Sequence, residues 1–187
     1  MVAWVTDSTE SSAPQTAVLD EAALETLYVR LEKPLYNVVY RWVWDAETAH
    51  DVVQEAFLRL WRMRERIDMT TVEPLVYRIA LNLAANRRRA QKIRRFVTLQ
   101  VIAELRSRSP GPHEALERAR REHALRSAID GLPERLRRVV TLCEFSDMTY
   151  AEIADSLGIA TGTVGSRRNE ALQRLREMLG DWEDDDE

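Results

Sequence analysis

The stretch from Pro74 to Ala103 holds seven basic residues and no acid: Arg78, Arg87, Arg88, Arg89, Lys92, Arg94 and Arg95. Solvated helix faces usually mix signs, so a one-signed stripe is an electrostatic footprint for a polyanion. Arg78 and Asn82 lie one helical turn apart, where a guanidinium can clamp phosphate while a carboxamide touches a base edge. A second polar set is Thr161, Thr163, Ser166, Arg167 and Arg168. Hydroxyls and helix amides hold phosphates, and arginine reads guanine or clamps the backbone. A third set has the opposite character. Asp51, Gln54, Glu55, Leu58 and Arg62 step by three and four, which makes one continuous helical ridge. Acids, an amide and an exposed leucine suit a basic, helical protein surface; a plain solvated face is the alternative. Other chemistry is not indicated. There is no nucleophile–base pair or phosphate loop, and His50, His113 and His123 do not cluster with Cys143 or with acids at metal-ligand spacing. Neither a metal, a cofactor nor an enzymatic activity is expected.

Helices must position these sets. Glycine and proline number six each in 187 residues, and long stretches contain neither, so the expected class is all-α. Residues 1–20 are expected to be a disordered leader and 181–187 an acidic tail. A first helical domain spans 21–95, a flexible linker around Ser-Pro-Gly-Pro spans 96–114, and a second small domain spans 115–180. In the first domain, Leu24, Leu27, Leu31, Leu35, Val38, Val39 and Trp42 recur at helical spacing, with Pro34 kinking or restarting that helix. Asp45 is the expected N-cap of a helix whose apolar stripe is Ala49, Val52, Val53, Ala56, Phe57, Leu60 and Trp61. A loop from Arg64 to Glu73 follows. Pro74 then opens a third helix, with Leu75, Ile79, Leu83 and Asn86 on one face. Trp61 and Tyr77 are core residues, or apolar surfaces for bases taken out of a duplex.

In the second domain, Pro133 begins a helix whose inner face is Leu136, Val139, Val140 and Cys143. Thr149 and Glu152 form a capping box, Gly158 supplies the turn, and Thr161 is the expected N-cap of the last helix. This spacing of small residue, glycine and apolar plug is that of a helix-turn-helix, with a plain helical hairpin as its alternative. The net charge of -4 hides a strong asymmetry: five acids before residue 26 and six after residue 180 leave the remainder at +7. The single cysteine, the polar acidic start and the lack of any apolar run near ~18 residues point to a cytoplasmic chain with no membrane span.

Three stretches together resemble the small, two-domain, extracytoplasmic-function type of bacterial RNA polymerase sigma factor. They are DVVQEAFLRLWR, PLVYRIALNLAANRRR and LPERLRRVVTLCEFSDMTYAEIADSLGIATGTVGSRRNEALQRLREML. The resemblance covers about residues 23–179. It implies that Asp51, Gln54, Glu55 and Leu58 dock on core RNA polymerase, at the β′ clamp helices. It implies that the 64–73 loop captures a flipped base of the promoter −10 element, which Arg78, Asn82, Arg87, Arg88 and Arg89 hold. Thr161, Thr163, Ser166, Arg167 and Arg168 would meet the −35 element, and the linker would thread toward the polymerase active site and RNA exit path. The sequence departs from the family pattern at Leu75, usually tryptophan, at Asn86, often aspartate, and at Gly165 and Glu170, commonly lysine and arginine. Thr48 and His50 stand where acids are common. Thr48, at the third position after Asp45, is therefore a candidate phosphorylation site for a Ser/Thr kinase, since negative charge is favoured in a first turn. The alternative is a tolerated surface threonine, with control by an anti-sigma factor. Two rival functions are a self-sufficient helix-turn-helix regulator and a protein that sequesters a partner, its acidic tail mimicking DNA.

Overall fold

The computed structural model describes residues 19–99 and 113–180. Every regular element among them is helical. The leader up to residue 18, linker residues 100–112 and the tail at 181–187 lie outside the described residues.

Helix α1 spans Glu21–Val43, and Asp20 caps it by accepting the Ala23 amide at 2.8 Å. Leu19 is fully buried, so the packed chain begins two residues before the expected domain boundary. Pro34 lies inside α1 and does not restart it. Leu31, Leu35 and Val38 are buried on both sides of that turn, and their packing holds the helix through the lost hydrogen bond. Helix α2, Ala46–Arg62, starts at Asp45 as expected, with the carboxylate accepting the Thr48 amide at 2.8 Å. Two single 3₁₀ turns, Arg64–Arg66 and Met69–Thr71, make up the following loop.

Helix α3, Val72–Leu99, begins two residues before Pro74. Proline is harmless there, because the first four amides of a helix have no intrahelical acceptor. Val72, Val76, Ala80 and Ala84 are the buried line of α3, while Leu75 and Ile79 pack at its rim. Asn86, expected on the inner face, is exposed and accepts from Arg89 at 3.0 Å. Among the described side chains of α3, the buried apolar line ends at Ala85, one residue before Asn86.

The second half comprises α4, His113–Gly131; α5, Glu134–Phe145; α6, Tyr150–Leu157; and α7, Thr161–Leu179. Leu132, Leu136, Val140 and Ala171 form a small core between α5 and α7. Val139, Leu142, Ile153, Ala154 and Val164 instead join the buried cluster of α1, α2 and α3. The two units thus share one core, each large aliphatic side chain buried there being worth about 1.5–3 kcal/mol. Polar bonds reinforce the contact. The Trp42 indole donates to the Thr141 hydroxyl at 3.2 Å, and the Trp44 indole donates to Asp130 at 3.1 Å. Trp44 ends α1 with a left-handed φ of 54°, unusual for a bulky residue, and that bond to the second half helps fix it.

Candidate nucleic-acid interface

The helix-turn-helix is built by local rules. The Thr149 hydroxyl accepts the Glu152 amide at 3.3 Å, and the Glu152 carboxylate accepts the Thr149 amide at 2.7 Å. This capping box holds the Glu152 carboxyl below its ordinary range, chiefly through the backbone bond. Gly158 ends α6 at φ 64°, a left-handed conformation that suits glycine. Ile159 donates back to the Ala154 carbonyl at 3.0 Å and so fixes the turn. Val164 is fully buried as the plug between α6 and α7.

Thr161, expected as the N-cap, is the first helical residue; Ala160 holds the cap position with extended φ and ψ. The turn between α6 and α7 is thus one residue shorter than the sequence pattern suggests. No side chain caps α7, so its leading amides are open to an outside acceptor. Thr161 and Ser166 are exposed, and Thr163, Arg167 and Arg168 are half-buried. Arg168 bonds Glu144 at 2.7 Å, and that bond raises its already high pKa. Glu170 is neutralised by Arg174 at 3.0 Å and Arg135 at 3.4 Å.

The basic face of α3 is partly covered. Arg78 and Arg87 are exposed and have no hydrogen-bond or ion-pair partner among the described residues. Asn82 accepts from Arg138 of α5 at 3.0 Å. Arg88 is half-buried and bonds Asp130 of α4 through both the carboxylate, at 3.1 Å, and the carbonyl, at 3.2 Å. Arg89 pairs with Glu134 of α5 at 3.6 Å. The second half therefore holds Asn82, Arg88 and Arg89. Burial raises the Glu134 carboxyl, but Arg138 and Arg89 outweigh it and the group lies below its ordinary range. Tyr77 is 1 % exposed, so it is a core residue and offers no surface to a base. Burial, then Asp147 of the second half, pushes its hydroxyl up. Cys143, half-buried, is pushed up to about 11 by burial, which fits a packing role.

On α2, Asp51, Gln54 and Leu58 are exposed, Leu58 by 51 %. Glu55 accepts from Arg59 at 2.8 Å, and that bond holds its carboxyl below the usual range. Gln54 and Leu58 rim an apolar groove of about 500 Å³ that also takes in Leu24, Tyr28, Phe57 and Trp61. Trp61, half-buried, carries Arg64 over its ring at 4.5 Å.

Comparison with known proteins is decisive. The Sigma-70 region 2 model matches residues 27–94, and the Sigma-70 region 4 model matches residues 122–175. The ECF RNA polymerase sigma factor SigE of Mycolicibacterium smegmatis is 31% identical over 182 residues, covering 94% of this chain and 71% of the relative. The chain belongs to the ECF RNA polymerase sigma factors. The RNA polymerase sigma-H factor of Pseudomonas aeruginosa is 32% identical over 170 residues, covering 86% of this chain and 88% of that one. A solved structure of the sigma factor RpoE in complex with the anti-sigma factor NepR from Bartonella quintana has the same fold. Its TM-score is 0.60 at 20% identity, over 83% of this chain and 95% of that one. As a sigma factor, this chain directs promoter-specific transcription initiation through RNA polymerase. No described helix is long and apolar enough to cross a membrane.

Sequence reasoning about this sigma factor missed two features of its surface. Leu24 and Tyr28 of α1 complete the groove beside the docking ridge; their i, i+4 spacing was the available signal. Arg135 and Arg138 of α5 face the basic side of α3. The run Glu134-Arg135-Leu136-Arg137-Arg138 carried that signal, since the face opposite Leu136 and Val140 is cationic.

Proposed function

We propose that this sigma factor docks on core RNA polymerase through Asp51, Gln54, Glu55, Leu58 and the adjoining apolar groove. Arg78, Asn82, Arg87, Arg88 and Arg89 hold the −10 element, and Thr161, Thr163, Ser166, Arg167 and Arg168 meet the −35 element. Catalysis belongs to the polymerase, in the cytoplasm; this chain supplies the address. The free chain is closed, and polymerase must part the two halves before α3 can reach DNA. The observation that carries this reading is the bonding of Asn82, Arg88 and Arg89 by Arg138, Asp130 and Glu134. An anti-sigma factor is the partner that would keep the sigma factor from polymerase, a reading supported by the solved relative RpoE, which is held in complex with one. Regulation through phosphorylated Thr48 is less favoured, because the Asp45 carboxylate already sits 2.8 Å from the Thr48 amide and would face the phosphate.

Run-off transcription with purified core polymerase tests the assignment. Core plus this chain yields promoter-specific transcript, and core alone does not. The chain alone binds duplex DNA weakly. Tight, palindrome-specific binding by the chain without polymerase would instead identify a self-sufficient regulator.

A further inference from the structure

The faces proposed for the two promoter elements meet at one cavity of about 400 Å³ between the halves. Arg78 and Asn82 line it from α3, Arg135 and Arg138 from α5, Ser156 from α6 and Arg167 from α7, with Glu134 as the only carboxylate in the lining. Four guanidiniums against one carboxylate is an unbalanced set for a cleft between two packed units. Arg138 is engaged by Glu134 at 2.9 Å, and Arg135 by Glu170 at 3.4 Å. Arg78 and Arg167, one from each half, have no partner among the described residues. Asn82 spends its carbonyl oxygen on Arg138, which leaves its amide N–H groups as further donors.

We propose that this cavity binds a small polyphosphate anion, either free diphosphate or the diphosphate of a nucleotide. Two unneutralised guanidiniums, one on each half, call for a ligand with at least two negative charges that can bridge them. The Asn82 amide donates to its oxygens, and Arg135 and Arg138 enclose it. The cavity volume suits a small molecule, whereas a duplex cannot enter while the halves are together. Because both halves contribute, only the closed chain forms the site, and the anion stabilises that closed form by mass action. It competes with promoter DNA for Arg78, Asn82 and Arg167; this regulatory consequence rests on the function proposed above, while the binding itself does not.

The test is calorimetric titration of the full chain, without polymerase, using inorganic diphosphate. Adenosine diphosphate forms a second arm, and sulfate at matched ionic strength is the control. One-to-one saturable binding of diphosphate, well above sulfate, is expected. Tighter binding of adenosine diphosphate would mark a nucleotide as the source, and equal binding the phosphate group alone. Arg135→Gln and Arg167→Gln each weaken binding about tenfold, as the loss of one charge-assisted hydrogen bond does. Neither alters the helical circular dichroism, since Arg135 is exposed and Arg167 has no partner to lose among the described residues. Diphosphate binding no better than sulfate overturns the proposal. So does binding that both variants leave unchanged, which would place the anion elsewhere on the basic surface. Because the titration omits polymerase, its failure leaves the transcription assay untouched, and the converse holds too.

Discussion

Asp51 and Gln54 stand in solvent on a helix whose opposite side is fully packed, so removing either should spare the fold. Asp51→Ala and Gln54→Ala should each weaken core-polymerase affinity by about tenfold if they meet a basic partner surface, with unchanged circular dichroism. Unaltered affinity would remove them from the docking role. The same measurement on the chain phosphorylated at Thr48 settles the candidate switch: with Asp45 already at that helix start, the unmodified chain binds at full strength. Tight binding only after phosphorylation would contradict this. At this scale the sequence showed which residues were polar and outward, because helical period alone fixes that. It did not show who their partners were. Asn82, Arg88 and Arg89 read as free DNA contacts, yet they bond groups 42 to 56 residues away in the chain. Nothing local in the sequence encodes such pairings.

At the scale of elements, most of the fold was legible, since each helix carries its own start signal. Asp45 and Thr149 cap as their types predict, and Gly158 takes the left-handed turn. The misses lie where tertiary contact overrides a local rule. Pro34 sits inside α1 because the helix is packed on both sides of it, and Ala160 displaces Thr161 as the cap because the turn is fixed by a bond to Ala154. Two changes in the helix-turn-helix should move stability in opposite directions. Thr149→Ala removes the capping box and should cost about 1 kcal/mol. Gly165→Ala should add about 0.5–1 kcal/mol, because a Cβ there meets Tyr150 at an ordinary 3.7 Å. Denaturant midpoints of the two variants check both signs. A destabilised Gly165→Ala would show that the glycine is required for packing.

For the molecule as a whole, the residue pattern reads as two helical domains and a flexible linker, and from it the halves would be expected to move independently. The sharing of one core by α1, α3, α5 and α6 was not legible, because an apolar residue such as Val139 or Ile153 reads the same whether it faces its own domain or another. The closed arrangement turns that ambiguity into a mechanism, since the surface that keeps the free chain compact is the one proposed to meet the promoter. The most direct measurement is energy transfer between dyes at Lys33→Cys and Gln173→Cys, in a Cys143→Ala background, with and without core polymerase. Both label sites are exposed, one in each half. High transfer in the free chain and a clear drop on binding core polymerase is the predicted result. Transfer that stays high in a transcriptionally active complex, or is already low in the free chain, would contradict the account.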